Sequence, residues 1–144
     1  MKAIFSLATS MMMMTGLAAA QQPAPEWQTR LGQILPLLGH RNWIMIVDSA
    51  YPLQSSAGVE TLETNTDQLE VIRQVLRAID SSIHVRPIVY MDAELPFVPE
   101  KDAPGVTAYR EAVKAALAGQ KITSLPHEQI IAKLREMESP RGRG

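Results

Sequence analysis

The run Ile44-Met45-Ile46-Val47 constrains what this chain can fold into more than any other stretch. Four consecutive apolar residues, three of them β-branched, form the short continuous block that fills a parallel or doubly covered sheet. Asp48-Ser49-Ala50-Tyr51-Pro52 then reads as the turn that closes the strand, and Gly39-His40 precedes it. The strand therefore carries a histidine ahead of it and a carboxylate behind it. Binding crevices of open α/β sheets form beyond the carboxyl ends of strands, which is where Asp48 falls.

The flanking periodicities supply the helices for such a sheet. Trp27, Leu31, Ile34, Leu35 and Leu38 recur at helical spacing, and Pro36 kinks or ends that helix, so that Gly39 serves as its C-terminal cap and His40 is delivered into a loop. Residues 51–65 lack periodicity and read as a long loop without a helix. Thr64-Asn65-Thr66-Asp67 reads as a capping box for a helix that buries Leu69, Ile72, Val75, Leu76 and Ile79 and leaves Arg73 and Arg77 in water. Residues 83–91 are rich in β-formers, with Pro87 favouring a strand start or an edge, and together with the first strand they make a βαβ unit. A second long loop over 92–105 carries Asp92, Glu94, Glu100 and Asp102, and a further helix over 107–118 closes at Gly119. Residues 121–125 read as a short strand or linker. Pro126 opens a last helix with His127 at its N-terminus. The expected class is α/β: one compact domain over 26–138 with a mixed or mostly parallel sheet flanked by helices.

Composition excludes several functions. The chain has 144 residues and a formal charge of −1, and no basic patch interleaved with aromatics points to nucleic acid. Residues 1–20 hold one cation, Lys2, then an apolar stretch through four methionines, then Ala18-Ala19-Ala20, the pattern of a secretory signal peptide cleaved before Gln21. Pro23 and Pro25 make 21–25 an extended linker, and 139–144 reads as a disordered tail. The expected location is periplasmic or secreted, without stable membrane insertion after cleavage. A chain with 0 cysteines has no disulfide framework.

The residues eligible for chemistry are few. Three histidines without a His-x-x-x-His spacing and without cysteine make no zinc pattern, and neither a phosphate loop nor a nucleophile elbow is present. No metal and no cofactor is expected. His40, Asp48, His84 and His127 remain, each with a plain structural role open to it: a helix cap for His40, a turn-former for Asp48, a strand residue for His84 and a first-turn surface residue for His127.

Leu38-Gly39-His40 followed by Asp48-Ser49-Ala50-Tyr51-Pro52 resembles the signature of the D-ribose pyranase and fucose mutarotase (RbsD/FucU) family, in which a helix ends in Leu/Met-Gly-His and a strand ends in Asp-Ala-x-x-Pro. The helix from Gln68, then Asp80-Ser81-Ser82 and Arg86-Pro87-Ile88-Val89, resembles the fucose branch. Pro126-His127-Glu128-Gln129 resembles a His-Glu-Gln helix start of the ribose branch. The resemblance implies a cofactor-free isomerase of a free reducing monosaccharide, with its site built between subunits of a homo-oligomer. It implies His40 as the acid/base group, Asp48 as its partner or a ligand of sugar hydroxyls, and His127 as a further contact. The chain departs from the family pattern where a Tyr-x-Asn pair would contact the sugar, and Tyr51 or Tyr90 is the candidate replacement hydroxyl. Thr61-Leu62-Glu63-Thr64 stands where the fucose branch carries Arg-Ala-Asp-Gly, so sugar specificity does not carry over. The family's usual members are cytoplasmic, unlike the exported chain expected here. A noncatalytic binding or interaction module on the same fold is the alternative.

The leader makes one expectation directly measurable. Full-length chain expressed in a bacterium should be recovered from the periplasm or medium as a species beginning at Gln21, read by intact-mass spectrometry; a cytoplasmic species retaining residues 1–20 would contradict export.

Overall fold

The computed structural model describes residues 26–138, so the expected leader, linker and tail lie outside the described residues. In order, helix α1 spans Glu26–Ile34, α2 Gln68–Asp80, strand β1 Val89–Asp92, α3 Val106–Ala116, β2 Ile122–Leu125 and α4 His127–Glu138. β1 and β2 pair in parallel, from Val89↔Ile122 to Asp92↔Leu125, with α3 as the crossover between them. The ladder is extended at both ends by Val89 N–H donating to Lys121 O and Ala93 N–H donating to Leu125 O.

The apolar stripes of α1 and α2 meet to form the core. Trp27 and Leu31, one turn apart, pack with Val71 and Val75, also one turn apart. Leu31, 6% exposed, contributes roughly 1.5–3 kcal/mol through burial of its side chain. Trp27 Nε1 is buried without an acceptor among the described residues, which offsets about 1–3 kcal/mol of what the indole contributes.

Several local outcomes differ from the sequence expectations. Pro36 converts the end of the first helix into a 3₁₀ turn, Leu35–Leu37, and Leu38 leaves it in an extended conformation. Gly39 is therefore not the left-handed cap, and its N–H donates instead to Asn42 Oδ1 at 2.7 Å. The residue that caps α2 is Asp67, whose carboxylate accepts from the N–H groups of Leu69 and Glu70; caps of this kind contribute about 1 kcal/mol. Pro87 holds back the next strand, which starts only at Val89.

The largest difference concerns residues 44–47, which join no ladder among the described residues. Ile44 and Ile46 pack on the α1/α2 core, whereas Trp43, Met45 and Val47 face outward. That alternation has the two-residue period of an extended chain. The segment lies over the helices as an extended strap rather than inside a sheet, and Trp43 stacks on Tyr90 of β1 with ring centroids 5.3 Å apart. The βαβ unit present is β1–α3–β2, one unit later in the chain than the periodicity suggests.

The loop between β1 and α3 is tied down. Arg110 Nη1 donates to the carbonyls of Leu95, Pro96 and Val98, and Glu100 accepts from the backbone N–H groups of Gly105 and Thr107 at the start of α3. Those bonds, the Gly105 N–H foremost and the Thr107 side chain next, hold the Glu100 carboxyl down at about 2. A depressed carboxylate pKa contributes stability that is complete above the unfolded-state value of 4.5 and lost as pH falls toward 2. Glu100→Gln should therefore be less stable than wild type at pH 7 in urea unfolding, with the difference closing between about pH 4.5 and 2; a difference independent of pH would contradict this role.

Candidate functional site

Parallel pairing brings the carboxyl ends of β1 and β2 side by side, and the residues that follow them are thrown together beyond the sheet. Asp92 ends β1. Pro126 follows Leu125 of β2 and starts α4, so His127 is the first residue of that helix. In consequence His127 Nδ1 lies 2.9 Å from Asp92 Oδ2. The other carboxylate oxygen, Oδ1, accepts from Glu94 N–H at 2.7 Å, which fixes the plane of the group. The hydrogen bond that Nδ1 donates to the Asp92 carboxylate raises the His127 pKa above that of an ordinary histidine; desolvation opposes it, and the charges of Asp92, Glu94 and Glu128 add to the rise.

Across from this pair, the turn after the strap supplies the facing wall. Asp48 Oδ1 accepts from Ala50 N–H at 2.9 Å, and Tyr51 N–H closes onto Asp48 O at 3.3 Å, a tight turn that projects the Asp48 and Tyr51 side chains. Between turn and helix lies an open cleft of about 490 Å³ walled by Asp48, Tyr51, Pro52, Gln54, His127 and Arg135. Its volume is that of a small-molecule site. A carboxylate, a phenol, an amide, an imidazole and a guanidinium offer donors and acceptors of every kind that a polyhydroxylated ligand needs. Tyr109 stands nearby on α3, its hydroxyl donating to Gln68 Oε1 at 2.7 Å; burial, and after it the charges of Asp67 and Asp48, hold its proton on.

The sequence-derived candidates are distributed unevenly. Asp48, Tyr51 and His127 share the cleft. His40 sits exposed at the opposite end of the strap and takes no part in that wall, and Tyr90 is occupied by Trp43 on its face with Lys133 Nζ 5.6 Å from the ring centre. His84 is a tether rather than a strand residue. Its Nε2 lies 3.1 Å from Leu38 O and its Nδ1 2.8 Å from Ser82 Oγ. A carbonyl can only accept, so the proton is on Nε2, and the bond joins the turn that carries His40 to the end of α2. Asp92, Gln54 and Arg135 were not singled out by motif. The signal for Asp92 was the one used for Asp48, a carboxylate at a strand end. Among the described residues no group of three or more His, Asp or Glu side chains is placed to hold a metal ion, and no helix is long and apolar enough to cross a membrane.

Comparison with known proteins gives one family. The model of the RbsD / FucU transport protein family matches residues 26–139, which takes in both walls of the cleft. No curated protein and no solved structure matches the chain.

Proposed function

The chain belongs to the RbsD / FucU transport protein family, and from that premise we propose that it is an exported isomerase that interconverts the anomers or ring forms of a free reducing monosaccharide. The observation that carries this reading is the convergence of Asp48, Tyr51 and His127, from two distant parts of the chain, on one cleft with room for a monosaccharide. The reaction asks for little more. A base removes the proton of the anomeric hydroxyl while an acid protonates the ring oxygen, the C1–O bond of the ring breaks, and the open-chain carbonyl re-closes on its other face with the two roles reversed. No electron transfer or co-reactant is needed, and imidazole titrates where it can serve in either direction.

His40 is proposed as the acid/base group and Asp48 as the residue that orients it or holds sugar hydroxyls. Within one protomer the two stand at opposite ends of the strap, which spans roughly 20 Å at about 3.3 Å per residue over 42–48. His40 therefore serves the cleft of a neighbouring copy in a homo-oligomer. The outward faces of Trp43, Met45 and Val47, and a strap with no ladder partner among the described residues, support a second copy lying along it.

Anomer exchange followed by NMR saturation transfer on ribose, fucose and other monosaccharides tests the reaction. Wild type should accelerate exchange of at least one sugar, and His40→Ala should lose roughly two to four orders of magnitude of that acceleration. Identical rates for the two proteins on every sugar would end the catalytic reading. The absence of His40 from the cleft wall of its own protomer favours, as a second reading, a noncatalytic sugar-binding or interaction module. Thermal stabilisation by a sugar without rate enhancement would be its signature.

A further inference from the structure

Building on the isomerase reading, we propose that Asp92 is a positioning residue that makes His127 the proton donor to the ring oxygen of the sugar: Asp92 Oδ2 takes up the Nδ1 proton side of the imidazole, and Nε2 is left as the nitrogen that meets the ligand.

The geometry behind this is built by the backbone. Val89 and Ala93 donate to Lys121 and Leu125 at the two ends of the ladder, so β1 and β2 cannot slide against one another without losing both bonds. Asp92 pairs with Leu125, two residues before His127. The carboxylate is held from a second side by Glu94 N–H, and a group fixed by two bonds orients its imidazole partner better than a lone surface ion pair does. The pair is partly open to water, with 34% of the Asp92 side chain and 56% of the His127 side chain exposed, as a group that must reach a ligand in an open cleft requires.

The charged surroundings decide which half of the reaction His127 performs. Asp92 and Glu94 face it from the end of β1 and the loop beyond, Glu128 from its own first turn, and Asp48 and Arg135 from the cleft wall. The carboxylates of Asp92, Glu94 and Glu128 act on the ring and favour imidazolium, the donor form. In the ring-opening direction His127 Nε2–H gives its proton to the ring oxygen as the C1–O bond breaks, while His40 of a neighbouring copy takes the proton of the anomeric hydroxyl. Re-closure returns both protons, so the protein is unchanged after each cycle. An acid of this kind must be protonated to act, and activity falls as pH rises through its pKa.

Asp92→Asn tests the assignment with two separate readouts. The first needs no turnover: in a pH titration of the histidine ring resonances of the full chain, His127 should titrate above an ordinary histidine in wild type and fall back toward it in Asp92→Asn. A His127 titration indifferent to the substitution would overturn the coupling. The second is the pH profile of anomer exchange on whichever monosaccharide the wild type turns over. Its alkaline limb should move to lower pH in Asp92→Asn, and the rate at the optimum should fall roughly tenfold to a hundredfold, part of what a positioned acid/base group contributes. Asp92→Asn/His127→Ala should be no slower than His127→Ala alone, because Asp92 acts through His127. Additive losses, or a rate loss with an unmoved pH limb, would make Asp92 a structural residue and overturn the proposal. A wild type that turns over no sugar while His127 still responds to Asp92→Asn would sink the isomerase reading and the donor role together, leaving only an oriented binding histidine.

Discussion

The arrangement of the cleft rests on four residue pairs of parallel sheet. Val89–Asp92 and Ile122–Leu125 are short strands, but their register determines that Asp92 and the residue two beyond Leu125 share one corner of the molecule. A shift of one residue would turn alternate side chains to the opposite face and separate the carboxylate from the imidazole. Parallel strands demand a long crossover, and α3 provides it, anchored at its start by Glu100 and wrapped by Arg110 onto the 3₁₀ turn Leu95–Phe97. Contacts that look remote from the cleft thus secure its registration.

The α1/α2 core does a different job. Trp27, Leu31, Val71 and Val75 form a platform on which Ile44 and Ile46 rest, and the strap they hold down delivers Asp48 and Tyr51 to the cleft. Arg30 forks onto Glu60, with Nη2 2.9 Å from Oε2, and thereby fastens the loop after the cleft turn to α1. The Arg30 guanidinium lowers the Glu60 carboxyl pKa through that bond, and both groups are open to solvent. One wall of the cleft is therefore set by helix packing and the other by sheet register, and the chain between them is tied to both by the Trp43–Tyr90 stack.

Much of this was legible in the residues, and the misses have physical causes. Helical periodicity located α1 and α2 within a few positions, because apolar stripes facing a core leave a strong signal, and the terminating Gly119 and the opening Pro126 located α3 and α4. The run Ile44-Met45-Ile46-Val47 has the composition of a buried strand, yet composition records only that a stretch prefers to be extended and half-covered. Here the cover comes from helices instead of neighbouring strands, which no local pattern distinguishes. The family signature with His40 and Asp48 and the separate helix start with His127 were visible, and Asp48 and His127 fall together within the protomer. Asp92 was hidden in a stretch that read as an acidic loop. Its significance depends on which strand pairs with β1 and in what register, information carried by contacts more than thirty positions apart.

A second, smaller groove of about 390 Å³ lies between α1 and α2, lined by Trp27, Gln28, Gln74 and Arg77, where Gln28 Nε2 donates to Gln74 Oε1. The two depressions give the account its sharpest test. In isotope-labelled protein titrated with monosaccharides, amide and side-chain NMR shifts should move at Asp48, Tyr51, Gln54 and His127, on both walls of the strand-end cleft. Shifts confined to the groove around Trp27 and Gln74, or none with any sugar, would contradict the claim that the carboxyl ends of β1 and β2 build the ligand site.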